Sequence, residues 1–197
     1  MKAHAKHDPS RYSHYVSDAL YRELIADFSG WRTDDRMVDD AAERDLFRRL
    51  IECEARVLDQ LRFEEWIKLY APECIYWVPA TPEGGDPRRE VAVMFDDRRR
   101  LEDRIFRLRS SYAWSQAPPS RTSRIVSNVE VLRCEREDQR MVRSNFAMSE
   151  FWGGEIRVLA GWAGHRFRKI DGAWMISAKQ VNLLNCDQCI RNPSIIM

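Results

Sequence analysis

The stretch DDRRRLEDRIFRLRSSYAWSQAPPSRTSRIVSNVEVL, residues 96–132, joins a charged, helix-like segment to a strand-like one. Either of its two leading aspartates can cap a helix, because a carboxylate accepts hydrogen bonds from the free backbone N–H groups of the first turn. Apolar side chains then recur at helical spacing, as at Leu101 and Ile105. After the Pro118-Pro119 pair the apolar repeat shortens to two, which is the period of a β-strand. The stretch therefore predicts a helix followed, beyond a proline break, by a strand.

The sequence before this stretch is mainly helical in pattern. Apolar residues recur every four positions over Val16–Phe28. A long amphipathic helix is predicted from Asp40, which can act as its cap. The apolar stripe of this helix comprises Leu46, Leu50, Cys53, Val57, Leu58 and Leu61. A shorter helical pattern over Phe63–Tyr70 cannot continue past Pro72.

Most of the strand patterns follow the helices. Besides the strand that starts after Pro118-Pro119, the predicted strands are Cys74–Val78, Val91–Phe95, Val142–Trp152, Ile156–Ile170 and Trp174–Leu184. Gly153-Gly154 and Asp171-Gly172 are tight-turn signals between the last three. Helices first and turn-connected strands afterwards predict an α+β domain, with helices packed on one face of a curved antiparallel sheet.

The chain length fits one compact domain with an appendage. Its 197 residues, 44% of them hydrophobic, can bury a single substantial core. We expect residues 1–38 to form an N-terminal arm with a short helix, and residues 39–197 to form the α+β domain. The last residues, Pro193–Met197, are mostly apolar, which predicts that they dock into a core or an interface.

Charge and composition exclude several classes of partner. Lys and Arg number 32 against 31 Asp and Glu, so no net field draws the chain to nucleic acid or to an anionic membrane. No apolar run approaches the roughly 18 residues that span a bilayer, and residues 1–7 lack the apolar middle of a signal peptide. Five scattered cysteines suit free thiols in a reducing compartment. We expect a cytoplasmic protein.

The cysteines and histidines give weak signals for chemistry. Cys186 and Cys189 form the only C-x-x-C, but a zinc site needs a second ligand pair, and a redox dithiol normally opens a helix. Incidental free cysteines are therefore favoured. His165 is either a general base in a pocket or, more commonly for an isolated histidine in a strand, a packed residue. No nucleotide-binding, zinc-peptidase or serine-hydrolase motif occurs in the sequence.

Charged residues in the opening stretch allow more than one interpretation. Asp96 and Asp97 could line the mouth of a cavity and supply a base, or they could cap a helix whose neighbouring arginines form a solvated face. Arg121 and Arg124 lie in the predicted strand. Two guanidinium groups in a strand favour bidentate pairing with carboxylates, which can belong to this chain or to a neighbour.

Over about residues 50–185 the sequence resembles the small (beta) subunit of bacterial aromatic-ring-hydroxylating dioxygenases. The resemblance rests on the order and spacing of Glu54-Ala55, Leu58-Asp59, Phe63, Trp66, Leu69, Tyr76, Pro79, Asp97, Arg98, Leu101, Arg104, Ile105, Arg107, Trp114, Pro118 or Pro119, Ser120-Arg121, Arg124, Val126-Ser127-Asn128-Val129, Lys179 and Val181-Asn182-Leu183-Leu184-Asn185. It implies a cystatin-like or nuclear transport factor 2-like cone, in which N-terminal helices pack in a strongly curved mixed or antiparallel sheet.

The resemblance also implies a multicomponent enzyme that inserts O2 into an aromatic ring with electrons from NAD(P)H. Three large and three small subunits typically assemble, and a reductase, often through a ferredoxin, supplies the electrons. The large subunit carries a Rieske iron–sulfur cluster and a mononuclear non-heme iron, whereas the small subunit is structural. The histidine content agrees, because the two iron sites together need four histidines, and three of the four in this chain lie in the N-terminal arm.

We therefore expect no catalytic, cofactor-binding or metal-binding residue in this chain. The residues expected to support the fold or form interfaces are Trp66, Tyr76, Arg98, Trp114, Arg121, Arg124 and Asn128. The alternative is a self-contained dehydratase or isomerase of the same cone fold, with Asp97, His165 or Tyr76 acting in its cavity, since a fold alone does not decide function. A pure binding module of this fold is a third possibility.

Overall fold

The protein, described here from a computed structural model, is an α+β structure. The structure describes residues 13–31, 34–82, 84–110 and 113–197. The helices are α1 (Asp18–Ser29), α2 (Ala41–Asp59), α3 (Phe63–Lys68) and α4 (Arg98–Arg109), with 3-10 turns at Asp34–Arg36 and Trp114–Gln116. The strands are β1 (Tyr70–Pro79), β2 (Ala92–Asp97), β3 (Arg121–Arg133), β4 (Gln139–Trp152), β5 (Glu155–Ile170) and β6 (Ala173–Leu183).

The six strands form one mixed, curved sheet in the order β2-β1-β6-β5-β4-β3. The neighbours pair antiparallel except for β1 and β6, the second and third strands from the β2 edge, which run parallel. Helix α2 packs on the inner face of the sheet against β3, and α3 contacts β1, so the sheet and the helices enclose a cone. The predicted fold class, a cystatin-like or nuclear transport factor 2-like cone, is confirmed.

Helix α2 begins where its cap predicts but buries a different stripe. The Asp40 carboxylate accepts a hydrogen bond from the Ala42 backbone N–H at 2.9 Å. The buried side chains are Phe47, Ile51, Glu54, Val57 and Leu58. The predicted stripe is wrong at Leu46 and Leu61, which are both exposed. The prediction chose the wrong face because it counted only apolar residues. The centre of the buried face is the charged residue Glu54.

Helix α1 covers part of the outer face of the sheet. Leu24 and Phe28 are buried there with Trp77 of β1. The short helix expected in the N-terminal arm is therefore present, and the expectation that all helices pack on one face is corrected. Residues 1–12 lie outside the described residues, and the division between arm and domain at residues 38 and 39 stays a prediction.

A bulge in β3 changes which side chains face the cone. The pairing with β4 shifts between Ser127 and Glu130, and Asn128 adopts a left-handed φ of 50°. An extra residue in one strand breaks the strict inside–outside alternation. Ile125 is consequently on the outside whereas Val131 is buried inside, although both follow the same period-two pattern in the sequence.

The last three residues, Ile195, Ile196 and Met197, are buried in the main hydrophobic core. The prediction that the apolar end of the sequence docks is confirmed, and the docking place is the core of the cone.

Candidate functional site

The interior of the cone is built around a buried carboxylate. Glu54 projects from the inward face of α2 and is 1% exposed. Its Oε2 atom accepts hydrogen bonds from Lys179 Nζ at 3.0 Å and from His165 Nε2 at 3.0 Å. Its Oε1 atom accepts from Tyr70 Oη at 2.6 Å and from Trp66 Nε1 at 3.1 Å. We call these five side chains the Glu54 cluster. Four donors satisfy the buried carboxylate fully.

Burial and charge set the ionisation of this cluster. Burial would raise the pKa of the Glu54 carboxyl, but the Lys179 charge and the hydrogen bond from His165 outweigh it and hold that pKa well below its usual range. Burial lowers the pKa of Lys179 and of His165, against the opposing attraction of Glu54. Burial and the Glu54 charge raise the pKa of Tyr70. The His165 imidazole is therefore neutral around pH 7, and Lys179 Nζ lies within ion-pair distance of the Glu54 carboxylate.

The space beside Glu54 is small. A cavity of about 30 Å³ is lined by side chains that include Glu54, His165, Lys179 and Ser144. His165 Nδ1 is buried without a hydrogen-bond partner within the described residues. A water molecule needs at least about 10–15 Å³ of such volume, so the cavity can hold one or two waters and cannot hold an aromatic ring.

The constellation expected for a self-contained enzyme is not assembled. Asp97 caps α4, accepting a hydrogen bond from the Arg100 N–H at 2.9 Å, and it does not line the cavity that His165 borders. Tyr76 is in the core, but its hydroxyl is committed to the main chain of Met197. Of the three residues only His165 lines the cavity beside Glu54, so the dehydratase or isomerase alternative is the weaker one.

Charged residues of the opening stretch are paired with one another. Asp96 accepts from Arg104 Nη2 at 2.6 Å, and Arg98 Nε donates to Glu102 at 2.7 Å. Arg98 Nη1 also donates to the carbonyl oxygens of Ile67 and Tyr70, at 2.9 and 3.0 Å. Arg98 therefore ties α4 to the end of α3 and the start of β1.

The two strand arginines differ in environment. Arg124 contacts the Asp59 carboxylate through Nη1 and through its backbone N–H, the latter at 2.8 Å, and its side chain is buried. This pair joins the end of α2 to β3. Arg121 is exposed, and its guanidinium lies over the Phe151 ring at 4.5 Å from the centroid. Arg124 thus has the carboxylate partner that the sequence favoured, whereas among the described residues Arg121 is recorded only against an aromatic ring.

The other four residues expected to support the fold or to form interfaces also differ in whether they are buried or exposed. Trp66 and Tyr76 are fully buried, with their rings 6.1 Å apart. Trp114 is 83% exposed in a 3-10 turn at the cone mouth. Asn128 occupies the β3 bulge. Whether any of the seven touches another subunit stays a prediction.

Sequence reasoning missed Glu54 and Lys179 as the charged centre of the cone. A signal was available, because Glu54 lies three positions after Ile51 and four before Leu58 on one helical face. A carboxylate on the apolar face of a helix requires a buried partner.

The outer face of the sheet carries an apolar patch. Its members are Ile125, Phe151, Ile156, Val158 and Leu184, which are 37% to 81% exposed. Strand register brings them together, because Phe151 pairs with Ile156, and Ala147 pairs with both Ile125 and Ala160. Leu184 extends the same row through its N–H bond to the Ala160 carbonyl at 3.0 Å. We call these five side chains the outer patch. Exposed apolar patches of this kind mark interaction sites.

Two further features concern metals and membranes. Within the ranges that the structure describes, no three His, Cys, Asp or Glu residues are grouped so that they could hold a metal ion. Cys186 is buried and Cys189 exposed, and both are free thiols. None of the helices in the described parts of the chain is long and apolar enough to cross a membrane.

Comparison with known proteins gives consistent matches. The family model described as "Ring hydroxylating beta subunit" matches residues 53–188. The 2-halobenzoate 1,2-dioxygenase small subunit of Burkholderia cepacia is 41% identical over 148 residues, which cover 72% of this chain and 84% of that protein. The benzoate 1,2-dioxygenase beta subunit of Burkholderia mallei has a similar structure, with a TM-score of 0.62 at 22% identity over 79% of this chain and 97% of that one. A nuclear transport factor 2-like protein with a cystatin-like fold, from Novosphingobium aromaticivorans, gives a TM-score of 0.50 at 16% identity over 85% and 88%.

Proposed function

This chain belongs to the ring-hydroxylating beta-subunit family and is a non-catalytic small subunit of an aromatic-ring dioxygenase, and we propose that its outer patch and cone mouth hold large subunits in register. The observation that carries this proposal is a contrast between the inside and the outside of the cone. The cavity beside Glu54 has room for only one or two waters, while five large apolar side chains are displayed on the outer sheet face.

We propose the following division of labour in the complex. Three large and three small subunits assemble, and each large subunit carries a Rieske iron–sulfur cluster and a mononuclear non-heme iron. Electrons from NAD(P)H reach them through a reductase, with or without a ferredoxin, and O2 is inserted into an aromatic ring. The donor atoms of this chain support the assignment of iron to the large subunit, because a Rieske centre takes two Cys and two His ligands. Its two described histidines, His14 and His165, lie in separate environments, one exposed and one buried.

The predicted structural residues take two proposed roles. Trp66, Tyr76, Arg98 and Arg124 support the fold, since each connects separate elements of the cone. Trp114 and Arg121 contact a neighbouring subunit, since both are exposed and Arg121 borders the outer patch above Phe151. Asn128 acts indirectly, because its bulge turns Ile125 outward.

Two further proposals concern the N-terminal region and the location of the protein. Residues 1–38 form an arm that is attached to the domain of residues 39–197 through α1, and the complex works in the cytoplasm. The free state of all five cysteines supports a reducing compartment.

The test is co-purification of a tagged chain with the large subunit. We expect Ile125→Glu and Val158→Glu to lose most of the large subunit, because a buried carboxylate in an apolar contact is costly. Val91→Glu is the matched control, because Val91 is an equally apolar, 80% exposed residue outside the outer patch. Normal recovery with both patch variants would contradict the proposed contact.

A second measurement tests the division of labour. Iron and turnover are quantified for the complex and for the isolated chain. We expect iron in a larger chain present in equal number, and no oxidation by the isolated chain. Robust turnover or a bound redox metal in the isolated chain would refute a structural role.

A further inference from the structure

The segment Arg191–Met197, which we call the tail, closes the mouth of the cone without joining the sheet. Asn192 Nδ2 donates to the Ser115 carbonyl at 3.0 Å, and the Ser194 and Ser115 hydroxyls lie 2.8 Å apart. Arg157 donates to the carbonyl oxygens of Arg191 and Asn192. The tail is thus held by side chains of the 3-10 turn at the mouth and of β5.

Deeper in the cone, the tail is bound through its main chain. The Ile196 carbonyl accepts from Arg124 Nη2. The Met197 carbonyl accepts from Lys179 Nζ at 3.2 Å and from the Tyr76 hydroxyl, and the Met197 N–H donates to that hydroxyl at 3.0 Å. Contacts to main-chain atoms hold an extended peptide independently of its side chains, so selectivity is left to the apolar walls.

The groups that bind the tail are positioned by other parts of the fold. Lys179 is fixed by Glu54 at 3.0 Å, and Arg124 by Asp59. The Arg124 Nε atom, also buried, has no partner within the described residues. Lys179 and Arg124 therefore each have an anchor in the fold besides the tail.

The side chains around the tail define the class of ligand. Ile195 and Ile196 lie in the same narrow space as Leu61 and Phe63. The site therefore suits an extended peptide with apolar side chains.

An apolar path leads from this site to solvent. A narrow space of about 20 Å³ beside Ile195 and Ile196 is lined also by Leu61 and Phe63. These two residues also line an open groove of about 440 Å³ at the mouth. A peptide can therefore approach along the line that the tail follows.

We propose that the cone interior is a peptide-binding site for an apolar, extended segment, that the tail is its resident ligand in cis, and that a matching peptide binds in trans when the tail is released. The inference does not rest on assembly with large subunits. An intramolecular ligand has a high effective concentration, so the intact chain should bind such a peptide weakly.

The experiment uses the full chain with the substitution Ile196→Ser, which removes a buried apolar anchor of the tail. The probe is a peptide with the sequence of residues 192–197 and a fluorophore at its N-terminus, which leaves the Met197 end unchanged, and binding is read by fluorescence anisotropy. We expect at least tenfold tighter binding to Ile196→Ser than to the unchanged chain, and weaker binding of a scrambled peptide. Adding Tyr76→Phe should weaken binding to Ile196→Ser, whereas adding Tyr70→Phe, whose hydroxyl bonds Glu54 instead, should not.

Circular dichroism establishes whether Ile196→Ser folds. If it does not, hydrogen exchange of the unchanged chain replaces the binding assay, and the peptide should accelerate exchange at the Met197 amide. The proposal is overturned if the folded variant shows no saturable binding, if the scrambled peptide binds equally, or if the peptide leaves exchange at Met197 unchanged in the fallback measurement.

Discussion

The Lys179 ammonium group lies 3.0 Å from the Glu54 carboxylate, with both side chains buried, and this ion pair joins helix α2 to strand β6. Removing one member of a buried pair leaves the other charge uncompensated, which is far more costly than breaking an exposed pair.

Glu54→Ala should therefore lower the free energy of unfolding by about 3–5 kcal/mol. Urea denaturation monitored by circular dichroism measures the change. Glu52→Ala, on the exposed face of the same helix and paired with Arg48 at 2.6 Å, is the control and should change stability much less. Equal effects of the two substitutions would show that the buried pair has no special role.

The pH dependence of stability should reflect the neutral state of His165. Burial lowers the pKa of His165 in the folded protein. Below about pH 6.5 this imidazole therefore binds a proton more readily in the unfolded chain than in the folded one. Stability should fall as pH drops from 7 to 5. His165→Gln, which keeps a donor for Glu54, should flatten that part of the profile in urea titrations. An unchanged slope would rule out His165 as its source.

Glu54 affects the free energy of unfolding at lower pH than His165 does. Its folded-state pKa lies below the unfolded value, so its stabilising effect is complete above about pH 4.5 and is lost at more acidic pH. The comparison of Glu54→Gln with the unchanged chain between pH 5 and 2.5 isolates this contribution. The stability difference between them should shrink as pH falls, and a difference that grows would contradict the assignment.

Arg124 and Asp59 should behave as a coupled pair. Arg124→Ala and Asp59→Ala should each lower the free energy of unfolding by about 2–4 kcal/mol, and the double variant should cost less than the sum. A double-mutant cycle in urea measures the coupling. We also expect complexes that do form with Arg124→Ala to retain normal activity per large subunit, and an intact complex without activity would contradict a structural role.

Gly161 cannot accept a side chain. A Cβ atom there would lie 1.9 Å from the Asn182 carbonyl oxygen of the neighbouring strand, which is main chain and cannot move aside. Gly161→Ala should destabilise the fold by about 1–3 kcal/mol or more. Gly30→Ala, where the nearest atoms lie at ordinary contact distances, is the control for thermal unfolding and should have little effect.

The element order and fold class could be predicted from the sequence because caps, prolines and periodic apolar residues are local signals. The buried face of α2 could not, because Glu54 is stabilised by Lys179 and His165, which are more than a hundred positions away. The outward turn of Ile125 depends on a bulge at Asn128, which the period-two pattern does not report. Asp97 was open to two interpretations, and the structure gives it the local one, a helix cap.

The parallel pairing of β1 with β6 imposes an order on biosynthesis. Residues 70–79 lie between β2 and β6 in the sheet, and the β6 strand, residues 173–183, is made only after the intervening strands β2 to β5. Contacts of such long sequence separation form slowly and carry a high loop-closure cost. While the chain is still on the ribosome, β1 has only β2 beside it, so the subunit can become a competent partner only after translation has passed residue 183.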